Sequence, residues 1–229
     1  MKLVNPKVEF LPQASGLEGV YKQIEFCART CYKSEDKITK DSAKPFVDRM
    51  IKSNHLAMLE HGTIYLYYKE CCYSKDDILF TNKYSINPYS KVVRIGCDDD
   101  IWPDGTYHDI MGGEATGNSE YVITTNLRAL VENDWLDDLK YLCDPTKYHE
   151  KRYTFKLITD RGVSHELVRH RVFSFAQESQ RYCNYSKDKY GSEITFIEPT
   201  WFKDAHNYIQ EDFTEFLGRA EELYIYFSQ

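Results

Sequence analysis

The 229-residue sequence lacks any run of about 20 apolar residues, which argues against a helix that crosses a membrane. It also lacks an excess of basic residues, because 29 Lys and Arg stand against 36 Asp and Glu and give a formal net charge of -7. Affinity for nucleic acid comes largely from neutralising phosphates, so we expect no nucleic-acid partner and no anionic membrane surface. A small anionic ligand stays compatible with this charge, since it needs only a local cluster of cations.

Paired cysteine spacing is also missing. Seven cysteines are present, but none forms a Cys-x-x-Cys pair. An odd number without paired spacing predicts reduced thiols and no zinc site, so we expect no bound metal. The first ten residues mix charged residues with proline and do not resemble a secretory signal. Together these features predict a cytoplasmic protein.

What the sequence does contain is enough apolar material for a packed core: hydrophobic residues make up 42% and aromatic residues 15%. Hydrophobic periodicity predicts a set of helices and a smaller set of strands. The helices are expected at 15–33, 42–54, 126–143, 165–174 and from 201 onward, and the strands at 63–69, 152–159 and 194–198. This order predicts an α+β fold, with a mixed or antiparallel sheet packed with helices.

Residues 70–120 interrupt that pattern with turn-forming residues and a short acidic run. We expect little regular structure there and, with the helix at 126–143, a partly helical insertion at about 70–150 within a single domain over residues 1–229. The apolar stripe of the last helix meets no stop signal. This predicts a chain truncated within a helix, although a natural terminal helix is the alternative.

The segment 164–186 carries the chemistry. Arg-His-Arg at 169–171 lies at the end of a predicted helix that Ser164 would cap, and a polar turn begins at Ser174. Arginine forks match phosphate or carboxylate oxygens, so this pattern is typical of an anion site. The adjacent Arg, His and Arg side chains cannot all point the same way, which suits two ligands or a junction between subunits. The alternative is a basic helix end that complements the helix dipole, followed by an ordinary loop.

Residues 169–171, followed after seven residues by Ser179, resemble the Arg-His-Arg-x7-Ser signature of flavin-dependent thymidylate synthases. Further matches to that family stand at Ser174, Arg181 and Tyr182, at His55 with Glu60 and His61, and at Ala28 with Arg29. The departures are Gln177 where Glu is frequent, Glu166 where Gln is common, and Cys31 where Ser is frequent. The family also has a further C-terminal segment without a counterpart in this sequence.

The resemblance implies methylation of dUMP to dTMP, with methylenetetrahydrofolate as carbon donor and NADPH reducing a bound FAD. It also implies a homotetramer. By resemblance, FAD would be held by His55, Arg169, His170, Arg171 and Gln177. The residues expected around dUMP are Glu166, Arg169, Gln177, Glu178, Ser179, Gln180 and Arg181, and the catalytic candidates are Ser179 and Arg169.

Two questions stay open at this point. Ser179 could bind the nucleotide or could act as a covalent nucleophile, and no base in the sequence has a clear claim on its proton. The protein could also be a catalytically inactive truncated relative that only binds nucleotide or assembles. A hydrolase built on Ser179 and His170 is a weaker alternative, because the Gly-x-Ser-x-Gly pattern is absent.

Overall fold

The computed structural model describes residues 1–70, 75–96 and 119–228. Its contacts divide the chain into two compact units. The terminal unit comprises Met1–Pro12, Cys27–Lys37 and Thr154–Gln229, and the middle unit comprises Gln13–Phe26 and Ile38–Tyr153. The expected single domain with an insertion at about 70–150 stays a prediction, and part of that insertion lies outside the described residues.

The middle unit contains a three-stranded antiparallel sheet surrounded by helices. Its strands lie in the order β3 (Thr63–Glu70), β5 (Ser119–Asn126) and β4 (Lys91–Gly96), so the central strand β5 pairs with both neighbours. The elements in chain order are the first part of α1 (Gly16–Thr30), α2 (Ala43–Lys52), β3 (Thr63–Glu70), α3 (Lys75–Ser85), β4 (Lys91–Gly96), β5 (Ser119–Asn126) and α4 (Leu127–Glu132). Short 3-10 turns at Ala57–His61 and Leu136–Tyr141 complete it.

Apolar side chains from α1, α2 and the sheet form the core of the middle unit. The fully buried members include Ile24, Val47, Leu59, Ile64, Leu66, Ile123, Leu127 and Leu130. Gly62 lets the chain that enters β3 approach α1 closely, because a Cβ there would lie 2.5 Å from the Ile24 Cδ1 atom and 2.7 Å from the Val20 Cγ1 atom. A larger residue at position 62 would therefore displace this part of the core.

The terminal unit contains two separate strand pairs. β1 (Lys2–Val4) pairs in parallel with β7 (Thr195–Ile197), and β2 (Lys7–Leu11) pairs antiparallel with β6 (Thr154–Ile158). Its helices are α5 (Arg161–Leu167) and α6 (Asn207–Phe227), and it also holds the end of α1. Glu221 on α6 accepts from the N-terminal amine of Met1 at 2.8 Å and from the Ile194 N–H at 2.6 Å, which holds α6 against this strand pair.

The α+β prediction is confirmed, with both parallel and antiparallel strand pairs. The expectation of little regular structure over 70–120 is wrong for α3 and β4. The helix expected at 126–143 is also wrong in extent, since α4 ends at Glu132 and Asp134 adopts a left-handed φ of 59°. Among the described residues, no helix combines the length and the apolar character that crossing a bilayer requires.

Candidate functional site

The candidate site begins at α5, which is shorter and starts earlier than the sequence predicted. Asp160 caps the helix, because its side chain accepts from the Val163 N–H at 3.0 Å. The predicted cap at Ser164 is therefore wrong, and Ser164 lies inside the helix. α5 ends at Leu167, so the Arg-His-Arg run occupies the turn that follows the helix rather than its last residues.

The three residues of this run, Arg169, His170 and Arg171, are all exposed. Backbone hydrogen bonds shape the turn: Arg169 N–H donates to the Glu166 carbonyl at 3.2 Å, and His170 N–H donates to the Leu167 carbonyl at 3.0 Å. The Arg169 Nη1 atom lies 2.8 Å and 2.9 Å from the two carboxylate oxygens of Glu166. Because these side chains are 70% and 69% exposed, their pairing contributes about 1 kcal/mol at most, and a ligand anion can replace it.

The loop after this turn is held to α5 by Gln177. Its Nε2 atom donates to the Ser164 hydroxyl at 2.8 Å, and Ser164 in turn donates to the Arg161 carbonyl at 3.1 Å. The helix therefore fixes the start of the segment that contains Glu178 and Ser179. Gln177 is half-buried, so its amide is used for local structure at the edge of the exposed surface.

Ser179 anchors a turn instead of facing a base. Its carbonyl accepts from the N–H groups of Tyr182 at 3.1 Å and Cys183 at 2.8 Å. Within the part of the chain that the structure describes, the Ser179 Oγ atom makes one hydrogen bond, as acceptor from the Tyr182 N–H at 3.3 Å. Gln180 and Arg181, at the tip of this turn, are exposed.

Tyr185 is a site residue that the sequence did not reveal. Its hydroxyl donates to the Glu178 carboxylate, and its N–H donates to the Tyr224 hydroxyl at 3.2 Å. Burial, followed by the hydrogen bond to Glu178, raises the pKa of Tyr185, so the phenol stays a donor at neutral pH. With 19 tyrosines in the chain, spacing alone could not single this one out.

His55 lies in the middle unit, immediately after α2. Its N–H donates to the Met50 carbonyl at 2.9 Å, and the preceding residue, Asn54, has a left-handed φ of 57°. The side chain of His55 is exposed. Glu60, from the same sequence element, accepts from Arg128 at 2.5 Å, which gives its carboxylate a structural role within the middle unit.

The described residues contain no group of three or more His, Cys, Asp or Glu that could hold a metal ion. The terminal unit presents the exposed side chains of residues 169–171 beside a loop whose polar groups are fixed by hydrogen bonds. The structure groups Glu166 with Arg169, Gln177 with Ser164, and Glu178 with Tyr185. The binding and catalytic roles of these residues stay predictions.

Comparison with known families gives a match to the C-terminal part of the chain. Residues 146–228 match the family model described as Thy1, the thymidylate synthase complementing protein. No curated protein and no solved structure matches the chain. The matched stretch contains α5, the exposed cationic turn and the whole loop to Tyr185, and it supports a thymidylate synthase function in broad terms. The resemblance seen in the Arg-His-Arg-x7-Ser spacing is thus confirmed, and residues 146–228 carry the pattern of the thymidylate synthase complementing protein family.

Proposed function

We propose that this protein is a flavin-dependent thymidylate synthase, which methylates dUMP to dTMP with methylenetetrahydrofolate as carbon donor and NADPH as reductant. One observation carries the proposal: the stretch matched by the family model presents its signature residues, 169–171, on an exposed turn beside the loop 177–182. This is the arrangement that an anionic cofactor and an anionic nucleotide both need.

The cationic turn fits FAD, whose diphosphate is an anion. Arg169 and Arg171 supply planar forks for phosphate oxygens, and His170 lies between them. When bound, FAD supplies the hydride that reduces the transferred carbon. The resemblance also implies a flavin contact for Gln177, and it implies one for His55.

The loop supplies the proposed nucleotide site. Arg181 is exposed at its tip and offers a second cation for the dUMP phosphate. Arg169, with Glu166 as its present partner, would lie near the uracil, where a cation stabilises negative charge on a carbonyl oxygen. The remaining proposed contacts come from Gln177, Glu178, Ser179 and Gln180.

Ser179 is proposed as a binding residue rather than a nucleophile. Activation of a serine hydroxyl needs a base within hydrogen-bond reach. The Oγ atom instead accepts from a backbone N–H, and this contact orients one of its lone pairs toward its own turn. The hydroxyl hydrogen is then free to donate to a substrate oxygen.

The proposed assembly is a cytoplasmic homotetramer. Two surfaces of the terminal unit support an assembly because they expose apolar side chains together. One face of the β2-β6 pair carries Val8 opposite Leu157 and Phe10 opposite Phe155, each between 48% and 66% exposed. On α6, Phe216, Leu223 and Phe227 follow one another at helical spacing and are also exposed.

The test is the visible spectrum of the purified chain after FAD is added and the excess is removed. We expect a retained oxidised-flavin spectrum, and loss of most of it in Arg169→Ala. Arg219→Ala, which removes an exposed arginine from α6, should retain flavin as the native chain does. Unchanged flavin content in Arg169→Ala would contradict the assignment.

The same preparation then receives dUMP, methylenetetrahydrofolate and NADPH, and dTMP is measured. Formation of dTMP supports the full activity. Binding of flavin and dUMP without dTMP would instead identify the inactive relative that only binds nucleotide. If the chain binds neither flavin nor dUMP, both the active enzyme and the inactive nucleotide-binding relative are rejected.

A further inference from the structure

The end of α1 has an unusual residue at a strained backbone position. Lys33 has a φ of 46°, in the left-handed region that glycine normally occupies at a helix end. Its N–H donates to the Thr30 carbonyl at 3.3 Å, and the Ser34 N–H donates to the Arg29 carbonyl at 3.1 Å. These two bonds define a Schellman motif, which turns the chain sharply after the helix.

α2 ends in the same motif but with a residue suited to it. Asn54 occupies its left-handed position, and asparagine tolerates that conformation through its short polar side chain. Lysine has no such compensation. A strained non-glycine residue that persists is a reason to look for a role of its side chain.

Cys31, two residues before Lys33, accepts hydrogen bonds from two N–H groups of the loop 177–182. Its carbonyl accepts from the Ser179 N–H at 2.9 Å. Burial raises the pKa of the Cys31 thiol, while the Gln177 N–H that donates to its sulfur acts in the opposite direction. The N–H groups of Gln177 and Ser179 thus both donate to Cys31. One residue at the end of α1 therefore holds the start of the loop.

Tyr32 contacts the turn that follows. Its ring packs edge-on against that of Tyr182, with centroids 4.7 Å apart and an interplanar angle of 77°. Both rings are about half exposed, at 48% and 55%, so this contact lies at the surface rather than in a core. It holds the turn at 180–182 against the end of α1.

Lys33 reaches Tyr185, which lies three residues after the loop 177–182. Its ammonium lies 5.0 Å from the centroid of the Tyr185 ring, within the range of a cation-π interaction. The hydroxyl of that tyrosine donates to Glu178. A continuous series of contacts thus joins the strained residue to the Glu178 carboxylate near the start of the loop.

We propose that Cys31, Tyr32 and Lys33 form a clamp of positioning residues, which holds the loop 177–182 in the shape that receives the nucleotide. The inference rests on the proposed function, because it assigns the loop to dUMP. An ordered loop loses less conformational entropy when a ligand binds, so the clamp raises affinity without contacting the ligand. The side chain of Lys33 explains why a strained lysine occupies a position where glycine would be relaxed.

The decisive variant is Lys33→Gly in the full chain with FAD, because structure and function should respond in opposite directions. Removing the strain should leave the melting temperature unchanged or raise it by about 2–4 °C. Loss of the cation-π contact should raise the dUMP dissociation constant by about two- to fivefold. Adding Tyr32→Ala should bring the increase to about tenfold.

Two controls separate the charge from the backbone. Lys33→Arg keeps a cation on the strained residue and should retain native dUMP affinity. Ser192→Gly relieves another left-handed residue of the same unit, with a φ of 53°, and should leave dUMP binding unchanged. A weakened affinity in Ser192→Gly equal to that of Lys33→Gly would overturn the clamp, because relief of strain alone would then explain both.

Hydrogen exchange of the peptide spanning 176–186 gives a readout that needs no nucleotide. Lys33→Gly should speed exchange in this peptide, including at the Ser179 N–H, and leave α6 protected. Unchanged exchange, or faster exchange with unchanged dUMP affinity, would overturn the clamp. If the native chain binds no dUMP, the proposed function fails, and the exchange result still decides whether residues 31–33 order the loop.

Discussion

Glu166 is the ion-pair partner of Arg169 in the cationic turn. One guanidinium nitrogen contacts both carboxylate oxygens, but both side chains face solvent. A ligand anion must compete with this carboxylate for the same fork. We therefore expect Glu166 to lower the affinity of the turn for anions while it orients Arg169.

The substitution Glu166→Gln should strengthen FAD binding. Removing the competing charge should lower the FAD dissociation constant by about two- to fivefold at low salt, since an exposed pair contributes about 1 kcal/mol or less. The gain should shrink as salt is added, because exposed charges are screened. A fluorescence titration at two salt concentrations measures it, with Glu211→Gln on α6 as a control of equal charge change. Weaker binding in Glu166→Gln would show that this carboxylate supports the site.

At the residue level, the sequence predicted the Arg-His-Arg run and the polar loop but not the partners inside the loop. The fixed spacing from residue 169 to Ser179 was sufficient to identify the segment. The contact between Tyr185 and Glu178 depends on how the loop turns, and that turn is set by the end of α1, far away in sequence. Local pattern contains no information on such contacts.

Among the helices and strands, too, those set by local sequence were predicted and those set by distant contacts were not. β3 and β6 have alternating or β-branched sequences, and both were predicted within one or two residues. β1 and β2 were missed, because their strand character comes from pairing with β7 and β6 at the other end of the chain. The start of α5 was misplaced because two cap residues, Asp160 and Ser164, lie four residues apart, and the earlier one caps the helix.

α3 illustrates how an element in the supposedly irregular stretch is held. Asp138 is buried and accepts from Lys83 at 2.5 Å and from the Tyr84 hydroxyl at 2.5 Å, both on α3. The Lys83 ammonium also lies 4.9 Å from the Phe80 ring centroid and 5.1 Å from that of Trp135. This network joins α3 to the 3-10 turn Leu136–Tyr141.

Loss of Asp138 should therefore destabilise the middle unit. Asp138→Ala leaves the Lys83 ammonium and the Tyr84 hydroxyl without their acceptor, which costs about 1–3 kcal/mol of unfolding free energy. The exposed neighbour provides the control, because Asp137→Ala should change stability by no more than about 0.5 kcal/mol. Urea unfolding of the two variants measures the difference. Equal stabilities would show that the network around Asp138 contributes nothing.

For the whole molecule, the exposed apolar surfaces of the terminal unit are the features that bear on assembly. The face of the β2-β6 pair carries Val8 opposite Leu157, while the side chain of Glu9, next along β2, points to the other face. Apolar side chains that cluster in this way are costly in water and are commonly covered by another subunit.

Val8→Glu should shift the assembly toward smaller species in sedimentation velocity, because it places a charge in the proposed interface. Glu9→Gln, one residue along and on the opposite face, should sediment as the native protein does. If Val8→Glu sediments like the native protein, this face of the β2-β6 pair lies outside the interface. A monomeric native protein would reject the homotetramer itself.

The pairing of β1 with β7 joins two segments that are synthesised far apart in time. β1 leaves the ribosome first, and its partner is made about 190 residues later. At roughly 5–20 residues per second, this delay is on the order of 10–40 s. The partner of β2, β6, is made about 40 residues before β7. Until then both strands are unpaired, and their backbone groups and the apolar side chains of β2 are open to other chains. Productive yield in a cell should therefore depend on holding chaperones and on a modest rate of expression.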